Sequence, residues 1–133
     1  MPTASRNVVD SSAWLEFFSN GPNADVFAPV IQYLEGLIVP TIVITEVLRR
    51  LDVEGRQDII PEVLAHLRQG LVVALDDQLA VDAVSIGRRH RLALADSIVY
   101  TTALALGGTV WTQDEDFKDL PQVEYREHPS RRG

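Results

Sequence analysis

The chain has 133 residues, the size of one ordinary domain and too few for two independent cores. Hydrophobic residues make up 46% and charged residues 23%, close to globular averages, which excludes wholesale disorder and collagen-like structure. A balance of 19 acidic against 12 basic residues gives a formal charge of −7 and argues against general adhesion to nucleic acid or anionic membrane, while the absence of cysteine excludes disulfides, thiolate zinc clusters and a cysteine nucleophile.

The opening residues, Met1 to Asn7, are polar and lead into no secretory signal core, so a cytoplasmic location is expected. Asn7-Val8-Val9 is a short β-branched strand that runs into Asp10-Ser11-Ser12, and Trp14, Leu15, Phe17 and Phe18 then recur at helical spacing as core positions. Ser19 to Asn23 is a break, and Ala24 to Leu34 reads as a second amphipathic helix ending near Gly36. Leu37-Ile38-Val39 is a strand, and Pro40-Thr41 opens a helix that carries Glu46. Helix over Asp58 to Leu67 then completes a helical hairpin.

Leu71 to Leu75 is a third apolar strand, Asp76-Asp77 a helix start, and Gln78 to His90 a helix. The apolar stretch Leu92 to Leu106 contains Asp96 and is too short to span a bilayer, so it predicts a buried helix and no membrane association. That helix stops at Gly107-Gly108, before a strand at Thr109-Val110-Trp111 and a loop rich in acids. Val123-Glu124-Tyr125 is an edge strand. Repeats and linkers are lacking, so residues 1–133 are expected to form one domain with loose termini at 1–6 and 129–133. Strands alternating with helices predict an α/β fold whose mainly parallel sheet is covered on both faces, with ligands beyond the carboxyl ends of the strands.

That rule makes the acid positions informative. Asp10 follows the first strand, Asp114 and Asp116 follow the fourth, Glu46 lies early in the helix after the second, and Asp96 lies near the start of the helix leading to the fourth. Gathered carboxylates repel one another unless a cation neutralises them, and Mg²⁺ and Mn²⁺ favour such oxygen ligands. Ions held this way activate water for phosphodiester cleavage, which allows an acidic protein to act on a polyanion.

Each acid also has a plainer reading. Asp10 is well placed to cap the following helix, Glu46 to pair with Arg49 or Arg50, and Asp114 to Asp116 to be a solvated capping loop. Asp96 resists such a reading best, because it is flanked by Leu92 to Ala95 and Ile98 to Tyr100; pairing with Arg89 or Arg91, or capping, are its alternatives. His66, His90 and His128 lack a nucleophile partner at recognisable spacing and read as surface or helix-end residues. The basic residues fall into one group at Arg49, Arg50 and Arg56 and another at Arg88 to Arg91, which either meets RNA phosphates or is simply solvated.

Taken in order, Val8 to Ser12, Thr45 to Leu48, Leu94 to Val99 and Thr112 to Phe117 resemble the signature of PIN-domain ribonucleases, in particular the VapC-type toxins of toxin–antitoxin pairs. The resemblance runs from about Val8 to Tyr125 and implies a PIN-like three-layer α/β/α sandwich. It further implies an endoribonuclease that uses Mg²⁺ or Mn²⁺ to hydrolyse single-stranded or loop RNA by metal-activated water, leaving a 5′-phosphate and a 3′-hydroxyl. The matching acids are Asp10, Glu46, Asp96 and Asp114, with Asp116 as a fifth, supported by the hydroxyls of Ser11 and Thr112. A VapB-type antitoxin and a homodimer are implied as partners. The alternatives are a PIN-fold nuclease of RNA processing, a non-catalytic module that binds peptide or RNA, and a receiver-type phosphoacceptor, the last disfavoured by the lack of adjacent acids early in the chain.

Overall fold

The computed structural model describes residues 5–131. Five strands form one sheet, β1 (Asn7–Val9), β2 (Leu37–Pro40), β3 (Leu71–Val73), β4 (Thr109–Thr112) and β5 (Val123–Tyr125), in the order β3-β2-β1-β4-β5. Every pairing is parallel, with Val8 opposite Ile38 on one side and Val110 on the other. The helices are α1 (Ser11–Phe18), α2 (Ala24–Gln32), α3 (Thr41–Val53), α4 (Ile60–Leu67), α5 (Asp77–His90) and α6 (Leu94–Ala105).

Right-handed crossovers place the β1–β2 and β2–β3 connections on one face and the β3–β4 return on the other, which yields the expected α/β/α sandwich. The order reverses between β1 and β4, and α/β sheets of this kind leave a crevice beyond the strand ends at such a point. The core lies on both faces of the three central strands, with Val8, Val9, Val39 and Val110 fully buried beneath Trp14, Phe27, Tyr100 and Phe117. Among the described residues no helix is long and apolar enough to cross a membrane.

Several boundaries differ from the sequence reading. The second helix ends at Gln32 because Tyr33 turns to φ −84°, ψ 80°, and Leu34–Gly36 continue as a 3-10 turn that aims the chain into β2. Asp58 and its neighbours begin as a 3-10 turn, Gln57–Ile59, before α4. The third strand stops at Val73 instead of Leu75, because at the sheet edge Leu71 and Val72 pair on one side only and remain exposed. Asp76 caps α5 through a 2.9 Å bond from the Leu79 amide. Gly107, at φ +65°, ends α6 as read, and the Gly108 amide returns to the Ala103 carbonyl.

Both termini make local contacts where they are described. The Arg6 carbonyl accepts from the Thr109 amide and its guanidinium donates to the Leu106 carbonyl. Pro129–Arg131 form a 3-10 turn, and the expected looseness of 1–4 and 132–133 lies outside the described residues.

Candidate active site

Asp10 directly follows the central strand, so the backbone that closes the sheet also fixes its position: its amide donates to the Trp111 carbonyl at 3.1 Å. Its side chain is only 5% exposed and has three donors. Thr112 Oγ1 donates to Oδ2 at 2.6 Å, while Ser12 Oγ at 2.7 Å and the Ala13 amide at 3.1 Å donate to Oδ1. The amide bond makes Asp10 the N-cap of α1, so the capping reading and membership of the acidic cluster hold together. Burial pushes its carboxyl up to about 6, against the pull of those donors, and Asp114 adds repulsion.

The same hydroxyls set the loop after β4. Thr112 Oγ1 accepts from the Asp114 amide at 2.9 Å, and Ser12 Oγ accepts from the Gln113 amide at 3.0 Å. Asp114 then caps the short turn Glu115–Phe117, its Oδ1 accepting from the Asp116 amide at 2.9 Å. The expected capping role is therefore real, and it leaves Asp114 Oδ2 without a bond inside the turn.

Asp96 is the third residue of α6, half-buried, and without an ion pair to Arg89 or Arg91 among the described residues. Its carboxyl is pushed up to about 7, first by burial and then by the charges of Asp114, Asp10, Glu46 and Asp116. Glu46 lies in the second turn of α3, half-buried, with its carboxyl raised by burial and by Asp114 despite a hydrogen bond from Ser11. The alternative pairing of Glu46 with Arg49 or Arg50 is not formed among the described residues. One carboxylate oxygen each from Asp96, Asp114 and Asp116 lies within 4.8 Å of the others. Asp10 sits behind that triad and Glu46 beside it, so the structure brings all five acids onto one rim and gathers three of them tightly.

The chemistry of this donor set fits a hard divalent cation. The oxygens belong to carboxylates whose charge is disfavoured by burial and by one another, and a cation would relieve both effects. Among the described residues no arginine or lysine forms an ion pair with any of the five.

Sequence reasoning missed Ser12, which binds Asp10 and the loop after β4 at once. Its only signal was a hydroxyl two residues after an acid, the spacing of an ordinary cap. It also missed Glu16, a carboxylate only 6% exposed whose Oε2 accepts from the Asn23 amide at 2.7 Å and whose Oε1 lies 3.6 Å from His128. His128 is thus packed against α1 instead of standing free at the surface, whereas His66 and His90 lie in the last turns of α4 and α5 as read, edge-on to Phe18 and Tyr100.

The PIN domain family model matches residues 8–123. Among curated proteins, none matches the sequence significantly. The fold is similar to that of a toxin–antitoxin complex from Klebsiella pneumoniae, at 20% identity and TM-score 0.74, covering 91% of this chain and 98% of that one. It is similar also to VapBC2 from Rickettsia felis, solved bound to a DNA fragment from its promoter, at 11% identity and TM-score 0.69, covering 91% and 97%. A VapBC toxin–antitoxin structure from Mycobacterium tuberculosis is similar at 18% identity and TM-score 0.58, covering 92% and 98%. With the acids converging where this architecture leaves its crevice and the family model spanning nearly the whole sheet, the chain belongs to the PIN domain family, whose members are nucleases.

Proposed function

We propose that the chain is a VapC-type toxin, a single PIN domain that works in the cytoplasm as a Mg²⁺- or Mn²⁺-dependent endoribonuclease on single-stranded or loop RNA. The observation that carries this reading is the meeting of Asp96, Asp114 and Asp116 within 4.8 Å, backed by Asp10 and flanked by Glu46. When bound, the metal lowers the pKa of water and neutralises charge developing on the phosphate. Asp96, Asp114 and Asp116 supply its oxygen ligands, Asp10 and Glu46 complete the negative field, and Ser11 and Thr112 hold those last two in place.

The solved relatives described as toxin–antitoxin complexes support a VapB-type antitoxin as the controlling partner. Homodimerisation belongs to the same reading, and Val81, Val84 and Leu94, 66–78% exposed along α5 and the start of α6, offer it an apolar face.

Cleavage of a mixed single-stranded RNA pool with Mn²⁺, with Mg²⁺ and with a chelator tests the activity, with Asp96→Asn as control. Cutting that needs metal and disappears in the variant is expected. Equal cutting by the variant would refute the assignment. Co-purification with a short antitoxin-like protein would test the toxin role.

A further inference from the structure

Two cavities open beside the acids and share Ser11, Leu15 and Arg50. The larger, about 620 Å³, extends from Asp114 between α1 and α3 to Arg56 and His128. The smaller, about 350 Å³, lies between Glu46, Arg49 and Val53. Arg49 and Arg50 are exposed, and their side chains have no hydrogen bond or ion pair among the described residues. Arg56 meets Asp58 at 3.5 Å, but both are mostly exposed, and such a pair contributes little.

Charge gives these arginines an occupant. A polyanion approaching five clustered acids on a chain of charge −7 is repelled at the place where it must be cut. Screening limits compensation to cations within about 8 Å at physiological ionic strength. Arg49, Arg50 and Arg56 are the guanidinium groups that line these two cavities, beside Asp114, Glu16 and Glu54 in the larger and Glu46 in the smaller. Arg88, from the second basic group, lines a separate apolar groove between α5 and α6 that contains none of them. A guanidinium fork matches two phosphate oxygens, and the larger cavity adds an apolar wall of Leu15, Phe18 and Ile59 against which a base can lie.

We propose that Arg49, Arg50 and Arg56 form a phosphate-binding flank that holds an extended single strand of RNA on one side of the bond to be cut. Contacts of this kind position the backbone without reading sequence. The inference rests on the nuclease reading above and adds the path of the substrate to it.

The test is equilibrium binding of a fluorescein-labelled oligouridylate to the Asp96→Asn chain, across a range of salt, with and without R49Q/R50Q/R56Q. All three side chains are exposed, and the thermal midpoint of the variant checks that it folds. The triple substitution is expected to weaken binding at least ~10-fold and to reduce the salt dependence by about 2, at roughly 0.7 per phosphate on a single strand. R88Q/R89Q should change neither. Unchanged affinity and slope in the triple variant, while the unsubstituted chain still cuts RNA with metal, would overturn the flank and leave the nuclease standing. Failure of the unsubstituted chain either to bind or to cut RNA would overturn both. Binding of a labelled acidic peptide that the triple variant loses while it retains RNA binding would overturn the proposal by assigning the arginines to a protein partner.

Discussion

Asp10 and Asp96 face the same acidic centre from opposite supports, and they are held in opposite ways. Asp10 stands at the end of the central strand with three donors and only 5% exposure; Asp96 stands on a helix end, half-buried, raised by burial and then by four neighbouring charges. The carboxyl of Asp10 therefore serves the fold as well as the site, since it caps α1 and joins two loops. Asp96 is tolerated by the fold at a cost, and a cation would offset that cost. Removing the first should hurt stability, and removing the second should help it.

The largest expected effect is on activity. Asp96→Asn should lower metal-dependent RNA cleavage by ~100-fold or more, about 3 kcal/mol of barrier, measured as single-turnover rate. Asp10→Ala should destabilise the fold by about 2 kcal/mol, because it removes the cap and strands the buried Thr112 hydroxyl, as denaturant melts would report. Ser12→Ala should cost about 1 kcal/mol in the same melts and lower activity less than Asp96→Asn, since the Gln113 amide loses its acceptor.

The smallest effect has a distinctive sign. Folding favours the protonated forms of Asp10 and Asp96, raised from 3.8 to about 6 and about 7, so this stabilisation is complete below pH ~4 and is lost as pH rises through 6 to 7. Metal-free Asp96→Asn should therefore gain stability over the parent across that window. Allowing for its half-exposed position, the gain is about 1 kcal/mol above pH 7, a few degrees in melting temperature. A variant that melts below the parent at pH 8 would break the contrast between the two aspartates.

Much of this centre was legible in the sequence because the rule behind it is topological. Once Val8-Val9 and Thr109-Val110-Trp111 read as parallel strands, Asp10 and Asp114 had to share a rim. Asp96 was legible as a charge inside an apolar helix. What the sequence concealed is nonlocal. Ser12 reaches Gln113 across 101 positions, and Glu16 is buried where the turn at Gly21 to Asn23 and the returning chain at His128 both meet it. The short third strand was misjudged because Leu71 to Leu75 is as apolar as a buried strand although its edge place leaves it exposed.

Calorimetric titration of Mn²⁺ into the chain at pH 6.5, in buffers of different ionisation enthalpy, tests the central claim most directly. Saturable binding that releases protons, and that is lost in Asp96→Asn, is the predicted result. Binding of equal strength in Asp96→Asn, or no binding to the parent chain, would contradict the assignment of these acids to a metal centre.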